Sequence, residues 1–163
     1  IAQMGINRTF QIPKPFLSLT VHQNVDLALH HSRRAKRDAR EILSFVGLEA
    51  ESEREAASLN TAQQKLLDLA RALATEPRLL LVDELGAGLG PADLKHVAQK
   101  LRALADSGVA LLVVEHLMGF LGSLTDDVVV MNAGVEIFAG RLSEAVREPK
   151  VVEVFRWGVG SGD

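Results

Sequence analysis

Cysteine is absent from this sequence of 163 residues, so neither a disulfide framework nor a thiolate metal site can form. Long apolar runs are also missing: Leu79–Val82 and Val109–Val114 are far shorter than the roughly 18–20 residues of a membrane span. There is no excess of positive charge, and the formal net charge of −3 argues against a general nucleic-acid binder. What remains is an ordinary globular composition, 47% hydrophobic and 24% charged, at the length of one domain.

The two apolar runs flank an amphipathic segment, and this alternation predicts the fold class. Leu79–Val82 and Val109–Val114 are predicted to be buried strands, and a helix is predicted to begin at Pro91 and to end at Ser107-Gly108. Strand, helix and strand in this order indicate an α/β fold with a parallel sheet. Other predicted elements are helices over residues 32–46, 62–75, 143–147 and 151–157, a strand over 8–11 and a hairpin over 128–139.

Polar side chains of types that serve in catalysis or metal binding follow both predicted strands. Asp83 and Glu84 come directly after the first strand, and Glu115 and His116 come after the second. Ligands of open parallel sheets bind at the carboxyl ends of the strands. There an aspartate can hold Mg²⁺, a neighbouring glutamate can polarise a water, and a histidine can donate a hydrogen bond to a phosphate. The alternative is an acidic pair and a surface histidine in ordinary loops.

Two further segments carry weaker signals. Gln11 lies at the end of a predicted strand, where a neutral amide can contact both a metal-bound water and a nucleophile; a polar loop residue is the alternative. Residues 59–64 lead into the helix predicted over 62–75, and helix N-termini with small residues can bind anions through free backbone N–H groups. For that segment the alternative is a plain helix cap.

The order of these four elements resembles that of the ATP-binding subunits of ABC transporters. The resemblance runs from Gly5 to about Phe155 and is strongest with the ATPases of branched-chain amino acid importers. The matching segments are Arg8-Thr9-Phe10-Gln11 (Q-loop), residues 59–64 (signature motif), 79–84 (Walker B) and Glu115-His116 (switch histidine), with further similarity at 5–7, 87–91, 117–118 and 148–153.

Site roles follow from the resemblance, with ATP and Mg²⁺ as the implied cofactors. Glu84 is expected to be the general base, His116 to contact the γ-phosphate, and Asp83 and Gln11 to position Mg²⁺, with Gln11 also sensing the attacking water. The segment expected to cover the nucleotide of a partner subunit consists of Leu59, Asn60, Thr61, Ala62 and Gln63. The D-loop residues are expected to be Gly88, Leu89 and Gly90.

The resemblance also implies an architecture and partners. A P-loop NTPase-like fold is expected, with a helical subdomain over residues 13–75, a parallel-sheet core over 76–140, and C-terminal helices and a tail over 141–163. The implied function is ATP hydrolysis coupled to solute import, at the cytoplasmic face of the plasma (inner) membrane. The implied partners are a second ATPase subunit in a head-to-tail dimer, membrane permease subunits and, indirectly, a periplasmic or extracellular solute-binding protein, but no nucleic acid.

One departure from the family pattern concerns the phosphate-binding loop. The sequence contains no Gly-x-x-x-x-Gly-Lys-Ser/Thr motif (Walker A), which in the family lies upstream of the Q-loop and would precede Ile1. The strand that leads into this loop is therefore expected to be missing. In the family fold it lies between the strands over 109–114 and 128–131. These two strands are therefore expected not to be fully paired, or to have closed up into a non-family arrangement, and this polypeptide alone is expected not to hydrolyse ATP.

The other departures weaken the signature motif and its neighbours. Asn60 stands where the family has serine, and Ala62 stands in place of the closing glycine. Leu85 replaces the usual proline, and Gly90 the usual aspartate. A truncated or degenerate remnant that only docks on a partner is the alternative function. A DNA-repair ATPase is disfavoured, because the 47 residues between Gln11 and Leu59 are too few for the coiled coil of that class.

Overall fold

Three short strands form a parallel sheet in the order β1-β2-β3, as the alternation of strands and helix predicts. They are β1 (Ile6–Arg8), β2 (Leu79–Asp83) and β3 (Ala110–Val114). Leu79 is paired with both Ile6 and Ala110, and at the other end of the sheet Asp83 is paired with Val114. All three strands therefore end at one edge. The computed structural model describes residues 5–9, 15–32 and 37–158.

Helices surround this sheet in the first of two compact units, Ile1–Phe120. The helices α1 (Val21–His30), α2 (Ala39–Val46) and α3 (Thr61–Leu73) pack against one another, and α4 (Pro91–Asp106) connects β2 to β3. Apolar side chains from these elements form the core. Its largest fully buried members include Ile42, Leu43, Leu67, Leu69, Leu80 and Leu101.

The second unit, Leu121–Asp163, is built on an antiparallel hairpin. Its strands are β4 (Asp127–Asn132) and β5 (Val135–Arg141), and Val130, Ala145 and Val151 form its small core. Three short helices complete the described elements: α5 (Met118–Gly122), which spans the boundary between the units, α6 (Leu142–Ala145) and α7 (Pro149–Gly158). None of the helices in the described ranges is long and apolar enough to cross a membrane.

The sheet-core boundary expected over residues 76–140 stays a prediction from the sequence. The hairpin belongs to the second unit together with the C-terminal helices α6 and α7. Among the described strands, β3 and β4 belong to different sheets. A hydrogen-bonded ladder between these two strands would have contradicted the expectation that they are not fully paired. The prediction that residues 109–114 form a buried strand is wrong: β3 ends the order of described strands, and Leu112 and Val114 are each 56% exposed.

The N-terminal half contains the largest differences from the sequence predictions. The helix predicted over 32–46 is observed only from Ala39, where Asp38 caps it, and it ends at Gly47 with φ +84°. The unpredicted helix α1 begins after Thr20, whose side chain forms a reciprocal capping box with Gln23. The predicted strand over 8–11 is observed over Ile6–Arg8, and Gln11 lies outside the described residues.

Candidate functional site

Asp83 is the last residue of β2 and is bound by the neighbouring strand. Arg8, the last residue of β1, donates a hydrogen bond from Nη2 to Asp83 Oδ2 at 2.5 Å. The next residue, Thr9, accepts a hydrogen bond from the Asp83 backbone N–H at its Oγ1, at 3.3 Å. Because β1 and β2 are parallel, their carboxyl ends meet, and the acidic side chain lies beside a basic one at this edge.

Glu84 directly follows β2 in an unusual backbone conformation. Its φ is +45°, in the left-handed region that non-glycine residues seldom adopt, and its N–H donates to the Val114 carbonyl at 2.9 Å. Its carboxylate oxygen Oε1 lies 3.8 Å from Nδ1 of His116, which follows β3. Asp83, Glu84 and His116 therefore lie at the same sheet edge, as predicted. Strained backbone of this kind is often found at functional sites.

The loop after Glu84 is held from two sides. Lys65 of α3 donates from Nζ to the carbonyls of Glu84, Leu85 and Ala87, at 3.1, 2.9 and 2.5 Å. On the other side, Glu115 Oε1 accepts a hydrogen bond from the Gly86 N–H at 2.6 Å. Burial lowers the pKa of Lys65 below its usual value, and the carboxylates of Glu115 and Glu84 act in the opposite direction.

The segment Leu59–Gln63 forms the start of α3, with Asn60 as its N-cap. The Asn60 side chain accepts a hydrogen bond from the Gln63 N–H at 2.8 Å, and the Gln63 side chain accepts one from the Asn60 N–H at 3.1 Å. Gln63 Nε2 also donates to Glu51 Oε1 at 3.1 Å. Two backbone N–H groups of this segment, those of Asn60 and Gln63, are therefore already bonded, and an acidic residue lies next to the segment.

Residues 88–90 lead from this loop into α4. Gly88 has φ +74°, which favours glycine, and Leu89 N–H donates to the Gly86 carbonyl at 3.1 Å. Gly90 is the N-cap of α4 and has no side chain with which to cap it, although the Leu94 N–H donates to its carbonyl at 2.9 Å. Pro91 then occupies the first turn, where its missing N–H is tolerated.

The fit of Mg²⁺ to this edge depends on Asp83. Among the described residues, no group of three or more histidine, aspartate or glutamate side chains is arranged to hold a metal ion by itself. Mg²⁺ is commonly bound through one or two carboxylates together with substrate phosphates and water. Arg8 bonds one of the two oxygens of Asp83. The edge therefore fits a Mg²⁺ ion held chiefly by phosphate and water, with Asp83 as its carboxylate.

Comparison with known proteins agrees with this geometry. A family model described as ABC transporter matches residues 2–87. The chain belongs to the ABC transporter family. The probable branched-chain amino acid transport ATP-binding protein LivG of Archaeoglobus fulgidus is 35% identical, with 95% of this chain and 66% of that protein covered. The corresponding protein BraF of Pseudomonas aeruginosa is 33% identical, with 95% and 69% covered.

Solved structures of ABC ATPases share the fold. MJ1267, titled an ATP-binding cassette of an ABC transporter, superposes with a TM-score of 0.82 at 28% identity, covering 94% of this chain and 69% of that one. The expected fold class, a P-loop NTPase-like α/β arrangement with a parallel sheet, is therefore confirmed. The chain spans about two thirds of the length of the relatives described here.

Sequence reasoning missed three residues of this ABC ATPase site. Lys65 and Arg8 were not singled out for chemistry, and Glu115 was noted only as a neighbour of His116. Lys65 falls next to the predicted apolar stripe of α3 and carries no local signal that it is buried. For Arg8 the signal was available, because the end of a strand parallel to β2 places its side chain near Asp83.

Proposed function

We propose that this chain is the ATP-binding and ATP-hydrolysing subunit of an importer of branched-chain amino acids. The observation that carries this proposal is the edge at which Glu84 Oε1 lies 3.8 Å from His116 Nδ1, directly after Asp83. Relatives named as branched-chain amino acid transport ATP-binding proteins support the choice of solute. The proposal includes a head-to-tail pair of ATPase subunits, permease subunits, an indirectly engaged solute-binding protein, and a place at the cytoplasmic face of the inner membrane.

Each side chain at the edge has a proposed task. Asp83 orients Mg²⁺, which when bound with ATP neutralises charge on the β- and γ-phosphates. Glu84 accepts a proton from the attacking water, and its position beside His116 keeps the carboxylate directed toward the edge. His116 donates a hydrogen bond to the γ-phosphate, and Gln11 contacts the attacking water and the metal.

The segment Leu59–Gln63 is proposed to cover the nucleotide of the partner subunit, and residues 88–90 are proposed to form the D-loop beside it. Thr61 is exposed and Ala62 is half-buried at the start of α3, so both can approach a second chain. Ala62 carries a methyl group where a glycine would allow closer approach of phosphate to the backbone. We therefore expect a weaker contact than a serine and a glycine at positions 60 and 62 would give.

A docking role without hydrolysis is the second candidate function. Two observations favour it. The sequence has no Walker A motif. At the start of α3, the Asn60 and Gln63 side chains accept hydrogen bonds from each other's backbone N–H, and the Gln63 side chain also donates to Glu51. Phosphoryl transfer depends mainly on positioning and on charge neutralisation by the P-loop and Mg²⁺. We therefore propose that these 163 residues alone do not turn over ATP.

A fusion with a P-loop segment separates the two candidates. A segment that carries a Walker A motif is joined ahead of Ile1, and phosphate release is measured for this fusion and for the chain alone. If Glu84 is the general base, the fusion hydrolyses ATP and Glu84→Gln reduces turnover by about 10²–10⁴-fold. The matched control Glu136→Gln, an exposed residue of β5, leaves turnover unchanged. A folded fusion without turnover favours the docking role, and turnover that survives Glu84→Gln refutes the assignment of the base.

The solute requires a separate measurement. Uptake of labelled leucine and of labelled arginine is compared in cells with and without the gene for this chain, since a relative named as an arginine transport ATP-binding protein is also 35% identical. The proposal predicts loss of leucine uptake with arginine uptake retained. Loss of arginine uptake alone would overturn the branched-chain assignment and leave the importer assignment standing.

A further inference from the structure

Lys65 is a buried cation whose hydrogen bonds all run to one loop. Its side chain belongs to α3, and the residue is only 4% exposed. An ammonium group has three donors, and here three carbonyls accept them: those of Glu84, Leu85 and Ala87. A buried charge needs such compensation, because burial removes its hydration. The fit between three donors and three acceptors fixes the course of the backbone from residue 84 to residue 87.

The loop needs support at this point because Glu84 is in the left-handed conformation. An L-residue other than glycine or asparagine seldom remains there unless its surroundings determine it. The carbonyl of Glu84 itself accepts from Lys65, and its N–H is bonded to β3 through Val114. Lys65 therefore holds the peptide unit that follows the Cα atom of Glu84, and β3 holds the peptide unit that precedes it.

Glu115 supports the loop from the opposite side. Its Oε1 accepts from the Gly86 N–H at 2.6 Å, and a Cβ at position 86 would lie only 3.0 Å from the same oxygen. The loop is thus held between a cation on α3 and an anion after β3. The two charged groups also attract each other, and this attraction opposes the effect of burial on the Lys65 ammonium.

We propose that Lys65 is a positioning residue for the general base: by bonding the carbonyls of residues 84, 85 and 87, it holds the Glu84 carboxylate toward His116. The proposal rests on the proposed function for the role of Glu84. It differs from a simple stabilising role, because it predicts that the loss of Lys65 changes the surroundings of His116, a residue that Lys65 is not observed to bond.

Hydrogen exchange of the wild-type chain and its variants tests the first step. In Lys65→Met, amide exchange of residues 84–89 is expected to rise about tenfold or more, while amides of α1 exchange as in the wild type. Lys65→Arg keeps the charge and several donors, so its exchange rates at residues 84–89 are expected to lie between those of the wild type and those of Lys65→Met. Lys95→Met, which removes an exposed lysine of α4, is expected to change neither region. Equal acceleration throughout the unit would overturn the proposal.

The ring resonances of His116 test the positioning itself. By proton NMR, Lys65→Met is expected to shift them in the same direction as Glu84→Gln, and Lys95→Met is expected to leave them in place. Unchanged His116 resonances in a folded Lys65→Met variant would show that Lys65 only stabilises the loop, which would overturn the proposal. Both measurements are made without nucleotide, so their outcome is distinguishable from a failure of the fusion to hydrolyse ATP.

If Lys65→Met does not fold, two other measurements still test the positioning role of Lys65. In the wild type, nitrogen-detected NMR is expected to show the Lys65 ammonium protected from solvent exchange, and a rapidly exchanging ammonium would overturn the proposal. Glu115→Ala releases the loop from the other side, and it is expected to accelerate exchange at Gly86 and to shift the His116 ring in the direction seen with Glu84→Gln. A Glu115→Ala variant with free Gly86 and an unmoved His116 ring would likewise overturn it.

Discussion

Alanine at position 86 tests how tightly the loop after β2 is held. An ideal Cβ built on Gly86 lies 3.0 Å from Glu115 Oε1, 3.0 Å from Leu94 Cδ2 and 3.2 Å from Leu117 Cδ1. Non-bonded carbon atoms prefer separations of about 3.5–4.0 Å, and a carbon 3.0 Å from a carboxylate oxygen is also crowded. The three neighbours, one on α4 and two on the segment after β3, would therefore all have to move. The shift would also lengthen the hydrogen bond from Gly86 N–H to the Glu115 carboxylate.

The expected loss follows from this crowding. Overpacking of a close-packed site costs about 1–3 kcal/mol, and we expect Gly86→Ala to lower the free energy of unfolding by that amount. Gly119→Ala is the matched control, because Gly119 has no neighbour within 4 Å of its added Cβ and is in a helix. Since glycine disfavours a helix, that variant is expected to gain about 0.5–1 kcal/mol.

Urea unfolding followed by far-ultraviolet circular dichroism measures both variants against the wild type. The free energies of unfolding of the two variants should differ by about 1.5–4 kcal/mol. Both should show the same dependence of this free energy on urea concentration. If Gly86→Ala proves as stable as Gly119→Ala, the close approach of Glu115 and Leu94 to position 86 does not exist, and the two-sided support of the loop is refuted.

Three further outcomes are expected. Leu101→Ala, at a fully buried position of α4, should lower the free energy of unfolding by about 2–5 kcal/mol, whereas Leu112→Ala on the exposed face of β3 should change it by less than about 1 kcal/mol; equal losses in urea unfolding would contradict the observed burial. Asn60→Ala removes the α3 cap and should cost about 0.5–2 kcal/mol in the same assay, and no loss would exclude the capping box. Because burial lowers the pKa of Lys65, the unfolded chain binds more protons than the folded chain as pH approaches the usual lysine value from below. The free energy of unfolding should therefore rise with pH in that window, and by less in Lys65→Met, and identical slopes would contradict a lowered pKa.

The elements with strong local signals were predictable from the sequence. The helix α4 begins at Pro91 as predicted, because a proline in the first turn and an apolar stripe are both properties of neighbouring residues. The same holds for β2, whose apolar run ends at a polar pair. Helix α1 was missed because its buried residues are few, and the capping box of Thr20 with Gln23 was its main signal. The expected helix start at Ser32 is wrong, because Asp38 is in an extended conformation and caps the helix that begins at Ala39.

The candidate site likewise has one part that the sequence predicted and one part that it did not. The meeting of Asp83, Glu84 and His116 followed from two adjacent parallel strands, each ending in a polar residue. The contact of Lys65 with the loop did not, because it depends on how α3 packs across the fold, about 20 residues away in sequence. The apolar run of β3 did not reveal its exposure, since such a run looks alike at the edge and in the middle of a sheet. The expected absence of the neighbouring strand did imply it, because that absence leaves β3 at the end of the described sheet.

The helix α3 carries its two functional segments very close together. Asn60 caps the helix and Lys65 lies five residues later, which at the rise of an α-helix is about 7–8 Å along its axis. The side chains of α3 are buried over most of the stretch from Leu67 to Leu73, so the helix is anchored directly after Lys65. The first turn of α3 and the backbone of Glu84 are thus linked through a single buried side chain. The fold thus leaves only about 1.4 turns of helix between the segment that we propose to meet a partner and the lysine that bonds the loop after β2.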